Sequence, residues 1–324
     1  MKKLKLVAKT IKIGIYLPVY GGWLRGVEEE ENLPTYDYVK KVAIEAEKIG
    51  IDSLWIPDHL LNPIKGERSP CPEAWTVAAA IVEATDRIIS HTTLCEAFRY
   101  PAVLAKQAAT LAEISKGRFL LSIGAGWFRR EYEAYGLPFY EHNDRVDRAR
   151  EAIQIIKKLW EEDEVTYKGK YYSIKGGILE PKPDPRPPIW YAGMSEASRN
   201  LVADEVDGWL MGRCSVEEVR KNVEDMKERL RKRGRGRIEF AIPAFTFIRE
   251  TDEEARRYVV RLVRDKRGLA KRIMDTGLVG SPETVAKRIR LLERVGIDHV
   301  LLQLTPTLKE LQRVNEVLNI LRKT

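Results

Sequence analysis

The chain has 324 residues, 44% of them hydrophobic and 32% charged, with a formal net charge of +8 and a pI near 9.2. That length suits two domains or one (β/α)8 barrel, with enough apolar residues for a sizeable core. No apolar run approaches the ~18 residues of a membrane span, and Cys71, Cys95 and Cys214 are spaced for neither a metal site nor a disulfide framework. The apolar stretch after Lys2, Lys3 and Lys5 is too short for a signal peptide, so a cytoplasmic protein is expected. Abundant charge beside only 11 Asn and Gln residues resembles thermophile usage.

Strand-like and helix-like segments alternate, which predicts a parallel α/β architecture. Strands are predicted at 11–17, 53–57, 88–94, 118–123, 188–192, 208–211, 238–248 and 299–304. Several are continuous apolar runs, as strands covered on both faces require. Helices are predicted at 36–49, 75–85, 101–114, 143–161, 195–205, 216–233, 252–265, 282–295 and 308–321. Ser281-Pro282-Glu283 orders an N-cap, an N1 proline and an early acid, and Thr251 with Glu254 has capping-box spacing. Gly50 and Gly296 end helices and precede the same Ile-Asp pair. Two excursions, about 163–187 and 266–280, interrupt the alternation. The first holds a hairpin around Lys168-Gly169 and then five prolines over 180–188. The basic run 227–237 holds seven Lys or Arg against one Glu, which suits either nucleic acid or a solvated helix end. No aromatic residue interleaves it, which favours the helix end.

In a barrel, chemistry gathers past the carboxyl ends of the strands. After the second strand come Asp58 and His59. The imidazole can exchange a proton near neutral pH with Asp58 to orient it, or the pair is a helix cap and a loop histidine. After the third come Cys95, an apolar filler rather than a nucleophilic thiol because no His-linked triad is in view, and Glu96, which either contacts a ligand or pairs with Arg99. Pro101 then starts a helix lined by Ala102, Ala105, Ala108, Ala109 and Ala112. After the fourth strand, Gly124-Ala125-Gly126-Trp127 sets bare backbone beside an aromatic plane, a seat for a flat heteroaromatic cofactor. The same glycines also suit a tight turn, and the third glycine of the dinucleotide fingerprint is missing. His142, ahead of the next helix, is either exposed or ligand-facing. After the fifth, Ala192-Gly193-Met194-Ser195 opens a helix whose N–H groups suit a phosphate, unless Ser195 is a plain N-cap. After the sixth, Arg213 follows Gly212 as a cation for an anionic ligand. There is no Walker A loop, zinc cluster or serine nucleophile elbow.

These segments, in this order, resemble the bacterial-luciferase-like flavin enzymes over nearly the whole chain. The most specific are Pro101 to Leu111 with Ser115-Lys116-Gly117-Arg118, then Gly124-Ala125-Gly126-Trp127, and Val279-Gly280-Ser281-Pro282-Glu283-Thr284-Val285-Ala286. The resemblance implies one (β/α)8 TIM-barrel domain over 1–324 carrying the two excursions as insertions. It implies either reduced FMN for oxygen activation or coenzyme F420 for hydride transfer. Trp127-Phe128-Arg129, Glu141 to Arg145 and Lys168 to Tyr172 look like the sulfone and alkanesulfonate monooxygenases, which take reduced FMN from a separate reductase. Alkanesulfonate members carry Arg and His on the seventh strand, where this chain has Pro243 and Phe245, and Val146 stands where Tyr is common. Trp55 to Leu60 instead resembles the deazaflavin branch. A two-component monooxygenase on a small organic substrate is the first expectation. A coenzyme F420-dependent dehydrogenase or reductase is the second, and a non-catalytic flavin-binding barrel the third. The roles implied are His59, Asp58 and Glu96 in proton handling and Cys95, Gly124, Gly126, Trp127 and His142 beside the cofactor. Ala192, Gly193, Met194, Ser195 and Arg213 would hold its phosphate. A non-proline cis peptide near Leu94-Cys95-Glu96 is a deazaflavin-branch trait. The expected partners are a small-molecule substrate, a flavin reductase and a second copy of the chain, with no metal, nucleic acid or membrane.

Overall fold

A computed structural model describes residues 11–25, 33–86, 89–95 (as backbone), 98–264 and 267–323. Its centre is a parallel sheet built from the eight predicted strands. These are β1 (Lys12–Tyr16), β2 (Ser53–Pro57), β3 (Ile89–Cys95), β4 (Leu120–Gly124), β7 (Ile189–Ala192), β8 (Gly208–Leu210), β9 (Glu239–Ile248) and β11 (His299–Leu304). The strand order is β9-β11-β1-β2-β3-β4-β7-β8, and the sheet curls until β8 also pairs with β9, Leu210 meeting Ala241. The first excursion forms an antiparallel hairpin, β5 (Val165–Lys168) with β6 (Ser173–Gly177). The second holds a helix and a short strand β10 (Leu278–Gly280), which adds to the outer half of β9.

The helices follow their punctuation. α1 (Tyr36–Ile49) and α3 (Pro101–Ile114) have the predicted bounds. In α3, Pro101 occupies N1, and Ala105, Ala108, Ala109 and Ala112 are buried. That thin face lets α5 (His142–Glu161) approach closely enough for Trp160 Nε1–H to donate to the Ala105 carbonyl at 3.0 Å. α5 begins one residue before its predicted start, so Asn143 lies in its first turn. α2 (Ala74–Ala84), α6 (Glu196–Glu205), α8 (Asp252–Val263), α10 (Pro282–Arg294) and α11 (Thr307–Lys323) match within a few residues. Thr251 and Ser281 cap α8 and α10, while the full reciprocal capping box forms at Ser215 and Glu218 of α7 (Val216–Lys232). Two helices have no sequence counterpart: α4 (Arg129–Ala134), and α9 (Arg267–Thr276) inside the second excursion. Among the described residues, no helix is long and apolar enough to cross a membrane.

The repeated Ile-Asp joint has a physical reason. Gly50 and Gly296, at φ +84° and +105°, turn the chain out of a helix in a conformation that disfavours any other residue. The aspartate two residues later then takes a neighbouring strand's free N–H. Asp52 Oδ2 accepts from Ile13 at 2.7 Å, and Asp298 Oδ2 from Phe240 at 2.9 Å. Asp207, before β8, does the same for Ile189 at 2.9 Å. The carboxylates thus hold the amino ends of the strands and leave the carboxyl ends open. In the basic run 227–237, Lys227, Arg231 and Lys232 face solvent and the other four basic residues are tied to the rest of the fold. Arg229 binds Glu196 and Asp225, Arg233 binds Asp204, Arg237 binds Asp298, and Arg235 donates to three carbonyls.

Candidate active site

Two adjoining cavities open at the carboxyl ends of the strands, of about 590 and 410 Å³, sharing Tyr16, Pro57, His59, Trp127, Gly212 and Pro243 as a common wall. The smaller is lined by Gly124, Gly126, Ala192, Gly193 and Met194 together with Asp58 and His142. So β2, β4, β7 and the start of α5 bring most of the predicted residues to one place. Cys95 pairs in register with Gly124, level with that strand end, though its side chain lies outside the described residues. Glu96 and the Cys95–Glu96 peptide also lie outside them. The cis bonds among the described residues all precede proline.

His59 is held differently from the sequence expectation. Its Nδ1 lies 2.8 and 3.0 Å from the carboxylate oxygens of Glu131, on α4, and not against Asp58. Glu131 is 1% exposed and also accepts the Leu60 N–H at 2.9 Å. A carboxylate at Nδ1 requires the proton there and leaves Nε2 as the free ring position. Tyr20, Trp127 and Phe128 surround the imidazole edge-on with centroids at 5.6, 5.5 and 6.2 Å. Trp127 is 55% exposed although it lines both cavities, so it forms the lip between them.

Asp58 is tied instead to Arg99, whose Nη1–H donates to Oδ2 at 2.5 Å, while Nη2–H donates to Glu73, the N-cap of α2. Pairing with Arg99 was one of the two readings of Glu96, which lies outside the described residues; among those described, the partners of Arg99 are Asp58 and Glu73. Burial pushes the Asp58 carboxyl up to about 6, with Arg99 opposing. A carboxyl raised by folding binds its proton more tightly in the folded chain. Its contribution to stability is therefore greatest below the ordinary value of 3.8 and is lost as pH rises through about 6. The Asp58→Asn variant lacks that proton. Its urea midpoint relative to the native chain should rise between about pH 4 and pH 7; a constant difference across that range would show that Asp58 titrates ordinarily.

Ser195 is the N-cap of α6, accepting from the Ser198 N–H at 3.2 Å, and its Oγ also meets His142 Nε2 and Ser198 Oγ, each at 2.9 Å. Both sequence readings of Ser195 thus concern one helix end, which borders the smaller cavity through Gly193, Met194 and Ser198. Arg145 completes that end. Its guanidinium lies 4.2 Å from the Phe139 ring centroid and Nη1–H donates to the Tyr140 carbonyl, but its buried Nε has no hydrogen-bond partner. Asp58 Oδ1 is likewise buried with no hydrogen-bond partner. Arg213 lines only the larger cavity, away from Ser195, because the chain leaves β8 toward Gln303 and Phe245. Glu131, Arg145 and Tyr20 were not singled out from sequence. Only Arg145 had a local signal, in the Glu141 to Arg145 run. Cys71 donates weakly to the His59 carbonyl at 3.3 Å, and burial pushes its thiol up to about 12, so it is an inert filler.

Residues 11–299 match the family model of luciferase-like monooxygenases. An FMNH2-dependent dimethylsulfone monooxygenase of Pseudomonas putida is 25% identical over 331 residues, covering 91% of this chain and 90% of that relative. Among solved structures, the EDTA monooxygenase of Chelativorans sp. BNC1 superposes with a TM-score of 0.82 at 20% identity, over 97% of this chain and 94% of its own. An F420-dependent secondary alcohol dehydrogenase in complex with an F420-acetone adduct gives 0.82 at 22% identity, over 97% and 99%. These superpositions show the shared fold.

Proposed function

This chain belongs to the luciferase-like monooxygenase family, and we propose that it is the oxygenase half of a two-component system, using reduced FMN from a separate reductase to oxidise a small organic substrate with O2. The curled sheet with its β8–β9 pairing supports reading the fold as a single (β/α)8 barrel with insertions at 163–187 and 266–280. The observation that carries the functional reading is the pair of cavities meeting at His59 and Trp127. One suits a flat ring with a phosphate tail, the other an apolar body beside it.

The smaller cavity fits such a group. Its buried Arg145 Nε lacks a hydrogen-bond partner, and a Cβ at Gly193 would come within 2.5 Å of Ser198 Oγ, so the backbone there must stay bare. Gly124, Gly126 and Trp127 would face the ring. Arg145, His142, Ser195 and the N–H groups of α6 would hold the phosphate. When bound, reduced flavin supplies the electrons for activating O2. The protein's part is then to position and to move protons. His59 presents Nε2 at the shared wall, Glu131 fixes its tautomer, and the apolar residues around both cavities exclude water.

Anaerobic titration tests this. Reduced FMN should quench tryptophan fluorescence with micromolar affinity. Arg145→Ala should weaken FMN about tenfold or more while leaving riboflavin, which has no phosphate, little changed. Tight binding of F420 without binding of FMN would replace this reading with the deazaflavin one. Cofactor binding with no turnover across a substrate panel would favour a flavin-binding barrel without catalysis.

A further inference from the structure

Among the described residues, the larger cavity is lined by three arginines, Arg25, Arg213 and Arg272, and by no acidic side chain, in contrast to the smaller cavity with Asp58 and Glu131. Arg213 enters it from the end of β8 in a fixed pose. Its Nε–H donates to Gln303 Oε1 at 2.7 Å, and its guanidinium carbon lies 4.0 Å from the Phe245 ring centroid. One contact fixes the rotation of the fork and the other covers a face. Neither Nη nitrogen has a hydrogen bond or an ion pair among the described residues. Burial, together with nearby Arg272, draws Arg213 down to about 10, against the opposing pull of Tyr16. Arg272 is shared with Glu218, whose carboxyl it helps to lower, whereas among the described residues only Tyr16, and no carboxylate, favours the charge of Arg213. A partly buried guanidinium whose two Nη groups have no partner among the described residues is left short of negative charge unless something else supplies it. The planar fork matches a carboxylate or sulfonate in two parallel bonds. Around it Tyr16, Trp23, Ile64 and Leu269 give an apolar and aromatic wall.

We propose that this cavity takes a small organic anion, a carboxylate or sulfonate on an apolar or aromatic body, with its charged head on the Nη edge of Arg213. The inference rests on the flavin reading only in calling this the substrate's cavity. It also gives Phe245 a role: on the seventh strand of the curl, the ring serves as a platform for a cation delivered by the sixth.

Calorimetric titration of the full chain with benzoate, benzenesulfonate and benzamide tests it without turnover. Benzoate or benzenesulfonate should bind at least about tenfold tighter than the neutral amide. Arg213→Gln should abolish that preference and leave benzamide within about twofold. Arg213→Lys, which keeps the charge but loses the fork, should retain part of it. Equal affinities in the native chain, no binding of any probe, or a preference surviving in Arg213→Gln would each overturn the proposal. Reduced FMN separates it from the reading above. If the native chain binds neither FMN nor F420 yet prefers benzoate, the flavin reading falls and the anion site stands. If Arg213→Gln loses FMN with benzoate unaffected, Arg213 serves the cofactor, and the anion site falls while the flavin reading stands.

Discussion

Replacing His59 with alanine should lower kcat by about 10²–10⁴, the range general acid–base groups contribute, while the dissociation constant for reduced FMN changes by no more than about twofold. The expectation comes from position. His59 borders both cavities, with Nδ1 committed to Glu131 at 2.8 Å and the opposite ring nitrogen uncommitted. A group on the shared wall can reach reacting atoms on either side, and removing it leaves the glycine strip and the helix end for the flavin intact. Glu131→Gln is the finer variant. The amide can still accept from Nδ1–H, but it no longer offers a charge to a protonated ring. A loss of about 10–100-fold in kcat with unchanged KM is expected, smaller than for His59→Ala. Steady-state kinetics at saturating reduced flavin measure both. Full activity in His59→Ala would remove the proton role, and equal losses in both variants accompanied by lowered thermal stability would make the pair structural.

This pairing also marks where the sequence stops being informative. The element order was legible because each signal was local. Pro101 at a helix start, alanines at helical spacing and Gly50 before Ile51-Asp52 act within a few residues of themselves. The strand-end rule then carried Asp58, His59, Gly124 to Trp127 and Ala192 to Met194 to one mouth, since a parallel curled sheet puts all those ends on one side. Glu131 was not legible. It sits 72 residues from His59 on a helix of six residues, too short to leave a periodic pattern. Asp58 was adjacent to His59 in sequence and so looked like its partner. Yet both lie past the end of β2, where Asp58 turned instead to Arg99 and His59 to Glu131. Arg213 was legible as a cation at a strand end but not as to which cavity it served, because Gln303 and Phe245, the residues that aim it, come from β11 and β9. α9 and β10 lay in a stretch recognised only as an interruption.

Gly208→Ala should destabilise the chain by about 3 kcal/mol or more, at the upper end of overpacking costs, and lower Tm by at least about 5 °C, whereas Gly212→Ala, four residues on, should change stability by less than about 0.5 kcal/mol. Gly208 on β8 stands in register with Trp190 on β7, and a Cβ there would fall 2.3–2.4 Å from three indole atoms. The indole has nowhere to retreat. It is 1% exposed, with Trp55 edge-on at 5.7 Å and His299 at 4.9 Å. At Gly212 the nearest atom to an added methyl is Met194 Cγ at 3.5 Å, an ordinary contact with a flexible side chain. Thermal and urea unfolding of the two variants measure the difference, and similar stabilities would show that the Trp190 layer is looser than its packing implies. The contrast has a functional side. Gly212 lines both cavities, so its methyl should act on ligand affinity with little effect on folding, while Gly208 acts on the packed layer of Trp55, Trp190 and His299 within the curled sheet. A rigid layer there keeps the strand ends at fixed separations, and a site assembled from β2, β4, β7 and β8 depends on those separations more than on any single contact.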